Sequence, residues 1–235
     1  MALYYFVFMR FALAHRKDRK QAEFPVSVIV VGRNEAENFK RNLPELCRQN
    51  YSNFEVVAVN DQSLDDSKDV IEELQKEFPN LKLVDVAINE RFWLGKKYGL
   101  TLGIKAANHD YLLLIDADCI PGSLNWISEM VSSFSNSETL ILGYGKYELQ
   151  NSLVNFFIQF ETVHTAIQYF SWALLGMPYM GVGRNMAYNR QLFFDKKGFV
   201  SHMHIPSGDD DMFVQEAGTG KNTAVVFHKE SHTVS

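Results

Sequence analysis

A chain of 235 residues and 27.0 kDa can form one large domain or two small ones and can bury a sizeable core. Hydrophobic residues make up 46% and charged residues 22%, which excludes an intrinsically disordered or collagen-like chain. A formal net charge of −5 gives no footprint for nucleic acid, and Cys47 and Cys119 alone cannot build a disulfide framework or a four-thiolate zinc site. They suit a reducing compartment. The aromatic share is high, 13%, with 18 Phe and 10 Tyr.

Met1 to Ala14 is apolar or aromatic except for Arg10, and the basic run His15-Arg16-Lys17-Asp18-Arg19-Lys20 follows. A bilayer span needs about 20 apolar residues, so this stretch is too short to cross alone. It has no charged segment ahead of it and no small-residue cleavage site, which argues against a signal peptide. The tail of a transmembrane helix, an interfacial helix and a buried helix remain as readings. The basic run favours a membrane end on the cytoplasmic side. Residues 1–24 are therefore set apart, and 25–235 are read as one domain.

Pro25 precedes Val26 to Val31, a β-branched run expected as a buried strand and broken by Gly32-Arg33-Asn34-Glu35. The spacing predicts helices over 36–49, 65–78 and 96–108, and strands over 54–59, 81–86 and 111–115. Strands alternating with helices indicate an α/β domain with a mostly parallel sheet. Ligands in such sheets bind beyond the carboxyl ends of the strands. Those ends carry Asn34 and Glu35, Asp61, and Asp116 with Asp118. Further on, 139–147 reads as a strand and 152–175 as a long helix with apolar residues at helical spacing. Residues 176–183 form a glycine-punctuated loop, and Gly208-Asp209-Asp210-Asp211 opens another helix. The run 223–228 is strand-like, with no closing element visible after it.

Asp116-Ala117-Asp118 is a D-x-D at a strand end. A turn lets both carboxylates address one hard cation such as Mg²⁺ or Mn²⁺, which would offset the charge of a nucleoside diphosphate. An ordinary Asp-rich turn is the plainer alternative. Three adjacent carboxylates at Asp209, Asp210 and Asp211 disfavour one another's ionisation, so an enclosed site raises at least one pKa, as a general base needs. An acidic helix N-terminus is the competing reading. Lys96, just before a helix, can reach a phosphate. His202 and His204 match no zinc spacing and read as surface histidines. Neither a P-loop, a dinucleotide fingerprint nor a G-x-S-x-G is present.

Taken in order, these motifs resemble the family 2 glycosyltransferases with a GT-A fold, over about Val26 to Ser235. Val31, Arg33, Asn34 and Glu35 look like that family's first nucleotide-contacting loop. Asn60-Asp61-Gln62-Ser63 looks like its DDxS turn, with Asn60 in place of the first Asp. The resemblance puts Asp61 on the uracil, Lys96 near the pyrophosphate, and Asp116 and Asp118 on the metal. Gly183, Arg184 and Asn185 resemble the segment lining the sugar and acceptor. Gly208-Asp209-Asp210 resembles the GDD or TED motif, making Asp210 the base with Asp209 beside it. The implied reaction is metal-dependent, inverting transfer from a nucleotide sugar, UDP-linked, to a saccharide or lipid-linked hydroxyl.

The pattern is closest to the membrane-attached synthase branch that includes cellulose, chitin and hyaluronan synthases. That implies a place on the cytoplasmic face of the cell membrane. The branch's Q-x-x-R-W motif is absent, so the C-terminal part of the catalytic region is expected to be missing. A truncated nucleotide-sugar-binding module without activity is one alternative. A sugar nucleotidyltransferase is another, though Gly32-Arg33-Asn34-Glu35 is a poor version of its glycine-rich loop. Trp172 and Tyr179 can stack on acceptor sugars, or pack against the domain or a membrane face.

Overall fold

A computed structural model describes residues 2–14, 23–88 and 95–235. The basic run His15 to Lys20 lies outside the described residues. Seven strands form the main sheet: β1 (Val26–Gly32), β2 (Phe54–Asp61), β3 (Leu81–Val86), β4 (Tyr111–Asp116), β6 (Leu140–Leu142), β8 (Met186–Asn189) and β9 (Thr223–Val225). Their order is β3-β2-β1-β4-β8-β6-β9, and β8 alone runs against the rest. The sheet is therefore mostly parallel, as expected. The chain moves outward from β1 to β3 and then returns to place β4 on the other side of β1. That reversal opens a crevice beyond the carboxyl ends of β1 and β4.

All seven residues of β1 are buried, because helices cover both faces of the sheet. Val28 and Val30 face one layer with Phe39 and Leu43 of α2 (Ala36–Cys47) and Ile71 of α3 (Ser67–Glu77). Ile29 and Val31 face the other layer, with Leu100 and Ile104 of α4 (Lys97–Ala106) and Tyr169 and Phe170 of α6 (Leu153–Leu174). The period of two splits one apolar run between two cores, and each buried aliphatic contributes about 1.5–3 kcal/mol. Helix α4 lies unusually close to the sheet. A Cβ on Gly103 would stand 2.7 Å from Val59, and one on Gly99 would stand 2.9 Å from the Asp61 carboxyl.

Three expectations change. The expected strand 139–147 is two short ones, β6 in the main sheet and β7 (Gly145–Lys146) in a small second sheet. The break falls at Gly143, where Asn185 fills the space a Cβ would need. The tail does close: a 3₁₀ turn at Lys229–Ser231 leads to β10 (Thr233–Val234), which lies between β5 (Ile120–Pro121) and β7. His202 is not a surface residue but is buried.

Helix α1 (Ala2–Ala12) packs on α6, with Phe11 stacked on Phe170 and edge-on to Phe227. Phe156, Phe157 and Phe160, at the other end of α6, stand exposed, as do Tyr4, Tyr5 and Phe6 of α1. Among the described residues, no helix is long and apolar enough to cross a membrane.

Candidate functional site

The crevice holds a cleft of about 380 Å³ lined by Val31, Gly32, Arg33, Glu35, Asp61, Gly95, Lys96, Asp116, Ala117 and Asp118. One wall is formed by the turns after β1 and β2. Arg33 donates through Nε to the Asp61 carbonyl and through Nη2 to Asp61 Oδ2, both at 2.8 Å. Gln62 Nε2 donates to the other carboxyl oxygen at 3.1 Å, so Asp61, only 2% exposed, is held on both sides. Asn34 and Gln62 adopt positive φ, a conformation Asn tolerates best among non-glycine residues. Neutral hydrogen bonds lace the two turns together. Asn34 N–H donates to Ser63 Oγ, Leu64 N–H to Asn34 Oδ1 and Glu35 N–H to Ser67 Oγ. The Asn34 side chain thus joins loop to loop and does not line the cleft.

The facing wall is acidic. Lys96 Nζ donates to Asp116 Oδ1 at 2.7 Å and pairs with Asp209 Oδ2 at 3.1 Å, linking the D-x-D turn to the acidic loop. Burial alone lowers the Lys96 ammonium, but Asp116 and Asp209 outweigh it and hold it above the usual lysine value. Asp209 sees one ammonium against its own burial and Asp210, so its pKa is nonetheless raised. Asp210 caps α8 (Asp211–Ala217): Oδ1 accepts from Asp211 N–H and Oδ2 from Gly183 N–H, each at 2.8 Å. A Cβ on Gly183 would stand 3.4 Å from Lys96 Nζ and 3.5 Å from the Asp209 and Asp210 carboxylates. Gly183 therefore sits against the charged cluster. Burial, then Asp210, pushes Asp211 up to about 6, and its buried Oδ1 has no partner among the described residues.

The other predicted residues divide. Asn185 is fully buried: it accepts from Trp126 Nε1 and donates to the carbonyls of Tyr144 and Ser231, all within 3.1 Å. It ties β8, β7 and the tail together behind the cleft. Arg184 lies over the Tyr147 ring at 4.4 Å and donates to the Gly145 carbonyl. Tyr179 lies near Asp211, which raises its pKa after burial does. Trp172 is half-buried in the last turn of α6 and does not line the cleft.

Two positions around the site escaped sequence reasoning. Lys97, 2% exposed, does not line the cleft. Ser235 donates to Asp118 Oδ2 at 3.3 Å, so the tail reaches the D-x-D turn. Neither a buried lysine nor a tail contact leaves a local pattern.

Asp116, Asp118 and Cys119 each bring one possible ligand atom within 4.8 Å of the others. Two carboxylates at the mouth of a diphosphate-sized cleft fit a hard divalent cation. Burial, then Asp118, raises the Cys119 thiol, so the oxygens are the donors of choice.

An α/β sheet with this crevice, acidic on one wall and laced on the other, has the architecture of a site for an anionic ligand held together with a cation. Residues 27–193 match the family described as Glycosyl transferase family 2, and the chain belongs to that family of glycosyltransferases. It is 30% identical over 124 residues to a poly-beta-1,6-N-acetyl-D-glucosamine synthase of Staphylococcus epidermidis, covering 51% of this chain and 28% of that protein. The match thus spans under a third of that relative's length.

Two solved structures share the fold. The mannosyltransferase PcManGT from Pyrobaculum calidifontis, in complex with GDP-Man and Mn²⁺, superposes with a TM-score of 0.72 at 19% identity, over 100% of this chain and 64% of that one. S. aureus TarS 1-349 in complex with UDP-GlcNAc superposes with a TM-score of 0.62 at 17% identity, over 90% of this chain and 58% of that one.

Proposed function

We propose that this chain is the catalytic core of an inverting glycosyltransferase that moves a sugar from a nucleoside-diphosphate donor, UDP-linked, to a hydroxyl of a saccharide or lipid-linked acceptor. The observation that carries the reading is the Lys96 ammonium, which bridges Asp116 and Asp209 across the cleft at the strand ends. It brings a cation-binding turn, a phosphate-seeking lysine and a base-bearing loop to one place. The family match and the nucleotide sugars bound by the two neighbours support the donor class. The synthase relative supports an N-acetylhexosaminyl or hexosyl group and a saccharide acceptor.

Each step then has a residue. Asp210 Oδ2, steadied by Gly183 N–H, takes the proton of the acceptor hydroxyl as its oxygen bonds to the anomeric carbon. The bond from that carbon to the diphosphate breaks on the opposite face, inverting the centre. Lys96 turns from its carboxylates toward the leaving phosphates. Asp116 and Asp118 would hold Mn²⁺ or Mg²⁺, which offsets the charge of the departing diphosphate. Asp61, with Arg33, meets the uracil, with Val31 and Glu35 beside it. Arg184 and Tyr179 border the acceptor side.

The exposed aromatics of α1 and α6, with the basic run His15 to Lys20, support membrane association on the cytoplasmic face.

A panel of UDP-sugars and saccharide acceptors tests the reading. UDP release is expected, and Asp210→Asn lowers it by about 10²–10⁴-fold while UDP affinity stays near parental. Comparable turnover in Asp210→Asn removes that residue as the base. Pyrophosphate release would instead indicate a nucleotidyltransferase, and UDP binding without turnover a binding module.

A further inference from the structure

Lys97 stands beside the cleft lysine but serves a different surface. Its ammonium donates to three main-chain carbonyls, of His202 at 2.9 Å, Ile205 at 3.2 Å and Ser207 at 2.9 Å. An ammonium has three N–H donors, so the set is complete, and a buried cation is tolerated because all of them are used. At 2% exposure, and with its donors committed to carbonyls, Lys97 is not placed as a phosphate ligand.

The carbonyls it gathers belong to one loop, and that loop leads directly into Asp209 and Asp210. No strand of the sheet holds residues 203–210; main-chain bonds from Ile205 N–H to the His202 carbonyl and from Val214 N–H to the Asp210 carbonyl mark the ends of the segment. The neighbours of Lys97 grip the same loop. Gly95 has φ +81°, and a Cβ there would stand 2.2 Å from the Pro206 carbonyl oxygen, so the turn presses its bare backbone on the loop. Lys96 pairs with Asp209 one step further on. Three consecutive residues thus hold the loop by close packing, by an ion pair and by a carbonyl tripod.

We propose that Gly95-Lys96-Lys97 is a clasp and that Lys97 is a positioning residue, fixing the 202–207 loop so that Asp209 and Asp210 reach the cleft. The assignment of a catalytic consequence rests on the proposed transferase reading; the clasp itself rests on the hydrogen bonds. Burial lowers the Lys97 pKa, with Asp209 and Asp210 opposing, as a lysine enclosed beside the acidic loop requires.

Hydrogen exchange and kinetics on the 235-residue chain test this together. In Lys97→Met, which keeps most of the stem but loses the donors, amide exchange in 203–210 is expected to rise at least tenfold while β1 and β2 keep parental protection. Turnover with UDP-N-acetylglucosamine or another accepted UDP-sugar is expected to fall at least tenfold, with the UDP dissociation constant within twofold of the parent.

Parental exchange in the loop overturns the clasp. So does UDP affinity falling in step with turnover, which would make Lys97 a nucleotide ligand. Should Lys97→Met not fold, Lys97→Gln carries the test, retaining two donors and giving intermediate exchange; parental exchange there overturns the proposal equally. A parent without turnover on any donor defeats the transferase reading alone, and the exchange measurement still decides the clasp.

Discussion

The two walls of the cleft are built on different principles. The wall after β1 and β2 is made by turns about 30 residues apart, joined by the Arg33–Asp61 ion pair and laced at the solvent edge by neutral hydrogen bonds among Asn34, Glu35, Ser63, Leu64 and Ser67. The facing wall draws on Lys96, Asp116, Gly183 and Asp209 to Asp211, backed by Lys97, Asn185 and the tail, and is held by part-buried ion pairs and buried polar contacts. A hydrogen bond near water is worth little net, whereas orphaning a buried group costs its full desolvation. The solvent-edge lacing of the first wall should therefore tolerate changes that the buried contacts of the second do not.

The largest loss of stability is expected from Asn185→Ala, which strands the Trp126 N–H and two carbonyls in the interior. The cost is about 3 kcal/mol, or about 6–12 °C in Tm for a domain of this size, read by thermal unfolding. A change under 1 °C would mean that the facing wall is not backed by its buried amide.

Asp211 comes next. Its pKa is about 6 in the folded protein against a usual 3.8, so the folded state binds the proton more tightly. Its stabilising contribution is full below 3.8 and is lost as pH rises through about 6. Relative to the parent, Asp211→Asn should gain on the order of 2 kcal/mol as pH rises from about 4 to about 7, measured as the difference in unfolding free energy. A difference that does not vary with pH would contradict the enclosure of this carboxyl.

Ser63→Ala is expected to do least. It removes an acceptor from the Asn34 N–H at an exposed site and should cost about 0.5–1 kcal/mol in chemical denaturation. If it costs as much as Asn185→Ala, the contrast between the walls fails.

The same contrast explains what could be read from the chain. The β-branched run Val26 to Val31 and the apolar run Tyr111 to Ile115 announce buried strands locally, and the polar residues just past them fall at the crevice by topology alone. Asp61, Asp116 and Asp118 were therefore legible, as was the raised pKa within the Asp209 to Asp211 cluster. Asn34 was legible as a loop residue, but its side chain turns to Leu64, a choice set by positive φ and the neighbouring turn. Asn185 carried a motif, yet its partners are Trp126, Tyr144 and Ser231, so its burial is a long-range fact. Lys97 looked like Lys96, and only the path of the 202–207 loop separates their roles. The split of 139–147 into β6 and β7 likewise depends on what Asn185 occupies behind Gly143.

The central claim is that the cleft takes a nucleoside diphosphate together with a divalent cation on Asp116 and Asp118. Calorimetric titration of UDP into the chain, with Mn²⁺ and with chelator, tests it most directly. UDP should bind at least about tenfold tighter with Mn²⁺, and Asp118→Asn should erase the difference. Equal affinity with Mn²⁺ and with chelator would contradict the account.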